Sequence, residues 1–327
     1  MEEKNPVHSC ISNNRKEKYN DAGIVNPIFI GGDGRSGTTL LSLILNSHSQ
    51  LAVGPELHFR GPENLGSYIL ECIDLWNALD GDYQELKKDK HYKNAVNFII
   101  RSIRYGIDIH VLRDMIQTLK TNSVTNLESF KERTLLINCM GNYHLENTKA
   151  KRWGIKIMKD IKIANKYLEI WPKAQFIHIV RDGRDVAASQ MCDHSSWGYK
   201  NIEDAANGWV DLIKKARINT NGQMLEIRYE DLINKPENSI EKILSFLSLD
   251  WEGSLLEHQR FSHSLYKNAY NHPSIDTVVK PMNNSAIGRY MRDLCVKDQE
   301  KFFALAYELL EEFDYMDSKK SERSINQ

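Results

Sequence analysis

The sequence has no surplus of charge and no long apolar run. Its 327 residues carry 43 Lys+Arg against 44 Asp+Glu, a formal net charge of −1. A broadly basic surface for bulk nucleic-acid binding is therefore excluded, and only a local basic site is open. No apolar stretch approaches the roughly 20 residues that span a bilayer. The opening residues MEEKNPVHSCISNNRKEKYN hold no apolar h-region. No signal peptide is expected from them, and the expected compartment is the cytoplasm. The five cysteines (Cys10, Cys72, Cys139, Cys192, Cys295) are odd in number, scattered and without C-x-x-C spacing. They predict reduced thiols rather than a disulfide framework or a zinc site. The 11 histidines form no H-E-x-x-H pattern, and no metal is expected.

What is present is ordinary for a globular chain: 41% hydrophobic and 27% charged residues. No low-complexity linker and no internal repeat interrupts it. The expected organisation is one domain over residues 25–317, with polar tails at 1–24 and 318–327 and a helical insert at 60–150. Short β runs at Pro27–Gly31, Leu51–Val53, Arg152–Ile157, Gln175–Val180 and Gln223–Arg228 alternate with helical spacing at 38–47, 166–171, 187–191 and 239–247. The run 152–157 reads as a strand edge. Such alternation predicts an α/β fold, a P-loop-type three-layer arrangement with a central parallel sheet flanked by helices. Ligands of such sheets bind beyond the carboxyl ends of the strands.

Two polar turns stand at such ends. Gly31-Gly-Asp-Gly-Arg-Ser-Gly-Thr-Thr39 reads as strand, tight loop, helix. Its glycines permit close backbone approach, and the N–H groups of a helix start favour an anion. Arg35 adds a planar donor fork. Gly32 and Gly37 have Walker A spacing, but Thr38 stands where the lysine of an NTP-binding loop belongs. The second turn, Val180-Arg-Asp-Gly-Arg-Asp-Val-Ala-Ala-Ser189, offers Arg181 and Ser189 to another anion. On the residues alone, Asp182 and Asp185 could equally serve a helix start and the arginines a solvated, ion-paired face. Together the two turns point to a nucleoside with phosphoryl groups at both ends.

Gly34–Leu41 resembles the 5′-phosphosulfate loop of sulfotransferases that use 3′-phosphoadenosine 5′-phosphosulfate (PAPS). Phe176–Ser189 resembles their 3′-phosphate motif, and Arg228-Tyr-Glu-Asp-Leu232 the R-Y-E-D-L element that follows. Order and intervals match from about Pro27 to Leu249, in the manner of the broad bacterial-type branch related to the tyrosylprotein sulfotransferases. The resemblance implies that Gly34, Arg35, Ser36, Gly37, Thr38 and Thr39 hold the 5′-phosphosulfate. It implies that Arg181 and Ser189 hold the 3′-phosphate and that Tyr229 touches the nucleotide. Ser274 to Asn283 resembles a loop that closes over PAPS, so Ser274, Lys280, Asn283 and then Arg289 are implied contacts. Gly54-Pro-Glu56 stands where that branch has its catalytic glutamate, which makes Glu56 the implied general base. His58 is the alternative base, since an imidazole ordinarily titrates close to neutral pH. Trp153-Gly-Ile-Lys156 resembles the W-G-x-K segment, whose lysine would steady the leaving phosphate; Lys159 is close enough to be mistaken for it.

There are departures. His48 is followed by Ser49 rather than proline. His58 and Pro62 replace arginines that grip acidic peptides in the tyrosylprotein branch, and Asp193 replaces another arginine. The expected enzyme therefore moves the sulfuryl group from PAPS to a hydroxyl or amine of a small-molecule, glycan or lipid acceptor. No nucleic acid, no integral membrane segment and no metal is implied. Trp76, Tyr105 and Phe59 are candidate walls of the acceptor pocket. The rival readings are a P-loop nucleotide kinase or NTPase, and a non-catalytic nucleotide-binding protein on the same fold.

Overall fold

The structure, a computed structural model, describes residues 26–316 apart from 58–63, 79–82, 122–125, 193–197, 219, 221, 262, 264–266, 268–271 and 273. The expected tails, His58, Phe59, Pro62 and Asp193 lie outside the described residues. Five strands form one parallel sheet: β1 (Ile28–Gly31), β2 (Leu51–Glu56), β3 (Arg152–Met158), β4 (Gln175–Val180) and β5 (Met224–Arg228). Their order is β2-β3-β1-β4-β5, and every neighbouring pair is parallel.

Strand alternation divides the core. Ile28 and Ile30 of β1 face the helices α1 (Thr38–Leu45) and α10 (Pro236–Leu247), among Leu41, Ile44, Ile240 and Leu244. Phe29 points the other way, into a cluster with Trp153, Tyr167, Trp171 and Phe176. A sheet covered on both faces needs near-continuous apolar strands, which is why β1 and β4 read IFIG and QFIHIV. A third cluster sets Trp209 of α8 (Ile202–Ala216) against Phe302 of α13 (Val296–Glu312), beneath Val180 and Ala187.

Between β2 and β3 lie α2 (Leu65–Ala78), α3 (Lys90–Arg104), α4 (Ile109–Thr121) and α5 (Phe130–Asn147). A capping box starts α5: the Glu132 N–H donates to Ser129 Oγ, and the Glu132 carboxylate accepts from the Ser129 N–H. The remaining helices are α6 (Ala164–Leu168), α7 (Gly183–Cys192), α9 (Tyr229–Asn234), α11 (Ile275–Val278) and α12 (Tyr290–Asp293).

Four sequence expectations change. The run 152–157 is no edge: β3 lies between β2 and β1. β2 extends through Gly54, Pro55 and Glu56. A proline is tolerated there because β2 is the edge strand. The helix expected from Ala187 begins at Gly183, because the Asp182 carboxylate caps it by accepting from the Arg184 N–H (2.9 Å). The helix expected to reach Trp171 ends at Leu168.

The open side of β2 is dressed by its own chain. The Val53 N–H donates to Asn46 Oδ1 (2.9 Å) and the Leu51 N–H to the His48 carbonyl (3.0 Å). Among the described residues, no helix is long and apolar enough to cross a membrane.

Candidate active site

Strand order explains why two turns 146 residues apart meet. β1 and β4 are neighbours, with Gly31 opposite His178. The chain leaves β1 toward β2 and leaves β4 toward β5, on opposite sides of the sheet. A crevice opens where connections diverge in this way. The turns are joined there: Arg181 Nη1 donates to the Arg35 carbonyl (2.9 Å), and Arg35 Nε donates to Ser189 Oγ (3.0 Å).

The first loop is built around the unadorned start of α1. Gly37 takes φ 94° and gives the helix no side-chain cap, so the first-turn N–H groups of Thr38 and Thr39 stay available. No acidic residue lies in that turn. A Cβ at Gly37 would stand 2.5 Å from the Tyr229 ring. Gly37→Ala is therefore expected to cost about 2 kcal/mol, from left-handed strain and that clash. Chemical denaturation measures it, and a loss below the usual surface value would contradict this account. Arg35 also takes a left-handed φ of 71°, which the sequence did not signal. Its guanidinium reaches Ser189 Oγ and Ser274 Oγ (3.4 Å). Ser36 is buried, and its N–H closes the loop on the Asp33 carbonyl.

The second turn gathers cations around Ser189. Arg289 Nη1 donates to Ser189 Oγ (3.2 Å), while its Nη2 pairs with the Asp293 carboxylate (2.6 Å). Arg181 is 4% exposed, and its guanidinium lies 5.0 Å from the Tyr229 ring centroid. Its Nη2 pairs with Asp185 (3.4 Å) and donates to the Ala286 carbonyl. Its Nε is buried with no hydrogen-bond partner among the described residues. A buried donor left unpaired in this way costs free energy unless a guest supplies the acceptor. The cluster thus fits an anionic group.

Toward β2 the site changes character. Lys156 stands opposite both Ile30 of β1 and Glu56 of β2. It is 2% exposed, not a surface lysine, and its Nζ donates to Thr39 Oγ1 (2.6 Å). Burial, against the attraction of Glu56 and reinforced by Arg104 and Arg101, lowers its pKa to about 8. Glu56 forms an ion pair with Arg101 of α3 (3.7 Å). Lys159 is taken up elsewhere, 3.0 Å from the Asp33 carboxylate.

Several expected residues stand outside this gathering. Lys280 is exposed, and Asn283 accepts from Ser285 within its own turn. Trp76 is core rather than a pocket wall, while Tyr105, though buried, also lines the cavity along the open side of β2. Tyr105 is buried where Gly54 lets β2 approach, and Trp76 stacks on Tyr83. Sequence reasoning missed Asp33, Gln190, Arg101, Arg104 and His272. His272 Nδ1 accepts from the Ser274 N–H (3.2 Å). Burial first, then Lys156, Arg104 and Arg35, lower its pKa to about 3, which keeps it neutral. Asp33 and Gln190 lie within or beside the two turns, where sequence alone assigns them no role, while Arg101, Arg104 and His272 are brought near by tertiary packing alone. A 490 Å³ cavity lies along the open side of β2, lined by His48, His144 and Phe261 among others, and not at the two turns.

Comparison with known proteins agrees with this geometry. The chain is 24% identical over 273 residues to the protein-tyrosine sulfotransferase of Drosophila melanogaster, covering 81% of this chain and 46% of that protein. The chain thus spans about half the length of that relative. It is 31% identical over 275 residues to the omega-hydroxy-beta-dihydromenaquinone-9 sulfotransferase of Mycobacterium bovis, covering 75% and 69%. In fold it resembles the sulfotransferase domain of the Synechococcus PCC 7002 olefin synthase, with a TM-score of 0.56, 19% identity and coverage of 90% and 98%. The sequence profile described as the Sulfotransferase family matches residues 27–253, more than two thirds of the chain. With its parallel sheet and its paired turns beyond β1 and β4, this chain belongs to the sulfotransferase family.

Proposed function

We propose that the protein transfers a sulfuryl group from PAPS to an acceptor hydroxyl. One observation carries the reading: the loop after β1 and the turn after β4 are hydrogen-bonded into one anion-binding crevice, through Arg181 to Arg35 and Arg35 to Ser189. A donor with a phosphate at each end of a nucleoside needs two such cradles facing one another. The unpartnered Arg181 Nε fits the need of a 3′-phosphate for a buried donor.

The roles follow from placement. Gly34 to Thr39 receive the 5′-phosphosulfate at the start of α1. Arg181, Ser189 and Arg289 receive the 3′-phosphate, with Tyr229 beneath Arg181 and Ser274 beside Arg35. Lys156 Nζ, already on Thr39 Oγ1, stabilises the negative charge that develops on the leaving phosphate oxygen. Glu56 faces Lys156 across the β2–β3 ladder and takes the acceptor proton. Arg101 holds that carboxylate in place. A His272 held neutral with so low a pKa is a poor base near pH 7, which favours Glu56. The two named relatives act on a protein tyrosine and on an omega-hydroxy menaquinone, each of which offers a hydroxyl. That common chemistry favours O–H over N–H as the acceptor. Thr38, which donates to Met158 Sδ (3.2 Å), leaves a kinase-type phosphate contact without its lysine.

The test is calorimetric titration with adenosine 3′,5′-bisphosphate, followed by transfer from labelled PAPS to a panel of phenols, alcohols, sugars and lipids. One-to-one binding and a labelled ester are expected. The binding also carries a pH signature. The Lys156 ammonium is present below its pKa of about 8 and is lost above it, while a bound anion retains the proton. Affinity therefore declines above pH 8, with a slope approaching one logarithmic unit per pH unit. Lys156→Met should flatten that profile. A wild-type affinity constant from pH 7 to 9.5 would remove Lys156 from the donor site.

A further inference from the structure

Asp33 is a carboxylate at the root of an anion-binding loop, where its charge by itself repels the guest. It is 2% exposed and none of the roles above uses it. Both of its oxygens are hydrogen-bonded. Oδ1 accepts from the Gly34 N–H (2.7 Å) and from Gln190 Nε2 (3.0 Å), and lies 3.0 Å from Lys159 Nζ. Oδ2 accepts from the Tyr199 hydroxyl (2.8 Å). Lys159 Nζ in turn donates to the Tyr199 oxygen (2.9 Å) and lies 4.1 Å from that ring's centroid. Lys159 offsets the carboxylate charge, so the loop keeps the positive field of its helix start.

The partners come from four places: the first loop, α7, the segment after β3 and the residues before α8. Gln190 is the informative one. It follows Ser189, the hydroxyl that Arg35 and Arg289 reach. Its Nε2 makes a second bond, to the Gly34 carbonyl (2.8 Å). One side-chain amide thus stitches the loop that would take the 5′ end of a nucleotide to the helix position that would take the 3′ end.

We propose that Asp33 and Gln190 are positioning residues that fix the separation of the two anion cradles, so that a nucleotide with phosphates at both ends binds as a bidentate ligand. The proposal rests on the PAPS reading and deepens it. A ligand that engages two rigidly spaced sites gains through effective concentration, and that gain disappears when the spacing loosens, although each site keeps its own contacts.

The experiment compares three ligands: adenosine 3′,5′-bisphosphate, adenosine 5′-monophosphate and adenosine 3′-monophosphate. Gln190→Met removes the amide with little change of volume or charge. Affinity for the bisphosphate is expected to fall about tenfold, while affinity for each monophosphate changes less than about twofold. Asp33→Asn, which keeps the shape, should show the same selectivity, with thermal melts confirming the fold of both variants. In transfer assays the KM for PAPS should rise about tenfold, with kcat at saturating donor within about twofold. Parallel losses for all three ligands, or no loss, overturn the tie. A wild-type protein that does not bind the bisphosphate overturns the PAPS reading itself, and the tie with it.

Discussion

Arg181→Ala is expected to weaken binding of adenosine 3′,5′-bisphosphate by about a hundredfold, the largest loss of any single substitution here. A buried, charge-assisted contact contributes about 1.5–3 kcal/mol, and 1.4 kcal/mol is a factor of ten in affinity. Arg181 also spans the crevice. Its Nη1 holds the Arg35 carbonyl, and its Nη2 reaches Asp185 and the Ala286 carbonyl. Truncation leaves Asp185 with one cation fewer, so some loss of stability accompanies the loss of affinity. Arg181→Lys separates the two effects. It keeps the charge but lacks the planar fork that serves these partners and a phosphate together, so most of the affinity should still be lost. Isothermal titration of folded variants decides the matter. A dissociation constant within threefold of wild type for Arg181→Ala would show that no phosphate rests on this guanidinium.

Glu56→Gln is expected to lower kcat by about two to four orders of magnitude, the usual range for removing a general base. Affinity for the bisphosphate at pH 7 should stay within about threefold, because Glu56 lies on β2, opposite Lys156 and away from the Arg181–Ser189 turn. The amide also removes the one carboxylate that raises the Lys156 pKa, so the pH profile of donor binding should shift downward. That shift is an internal control, reporting that the substituted side chain occupies the place the carboxylate held. Single-turnover transfer with any acceptor found in the panel measures the effect. Retention of full turnover with a shifted binding profile would assign proton removal to another group.

Much of the fold could be read from the sequence, because buried parallel strands announce themselves as apolar runs ending in glycine or arginine. The runs IFIG and QFIHIV marked β1 and β4, and the two turns that follow them are the ones the fold joins by hydrogen bonds. Where the reading fell short, the cause lies in contacts distant along the chain. The interior place of β3 depends on strand order, which no local pattern encodes. Burial of Lys156 follows from that order. Arg101 and Arg104 lie in the stretch read only as a helical insert, and they come near Glu56 because α3 packs beside β2. Arg35 belongs to the first loop by its position in a motif, and its contact with Ser189 of the second turn is one that no local pattern encodes. Trp76 shows the reverse error, for an aromatic residue at helical spacing turned out to fill the core.

The dressed flank of β2 bears on how this molecule behaves in a crowd. A bare outermost strand alternates donors and acceptors and so invites a neighbour's chain to zip onto it. Here Asn46 and the His48 carbonyl occupy the donors of Val53 and Leu51, leaving mostly carbonyls outward. Two molecules pressed flank to flank would thus meet like with like, and fibre-type stacking finds no template on this side of the sheet.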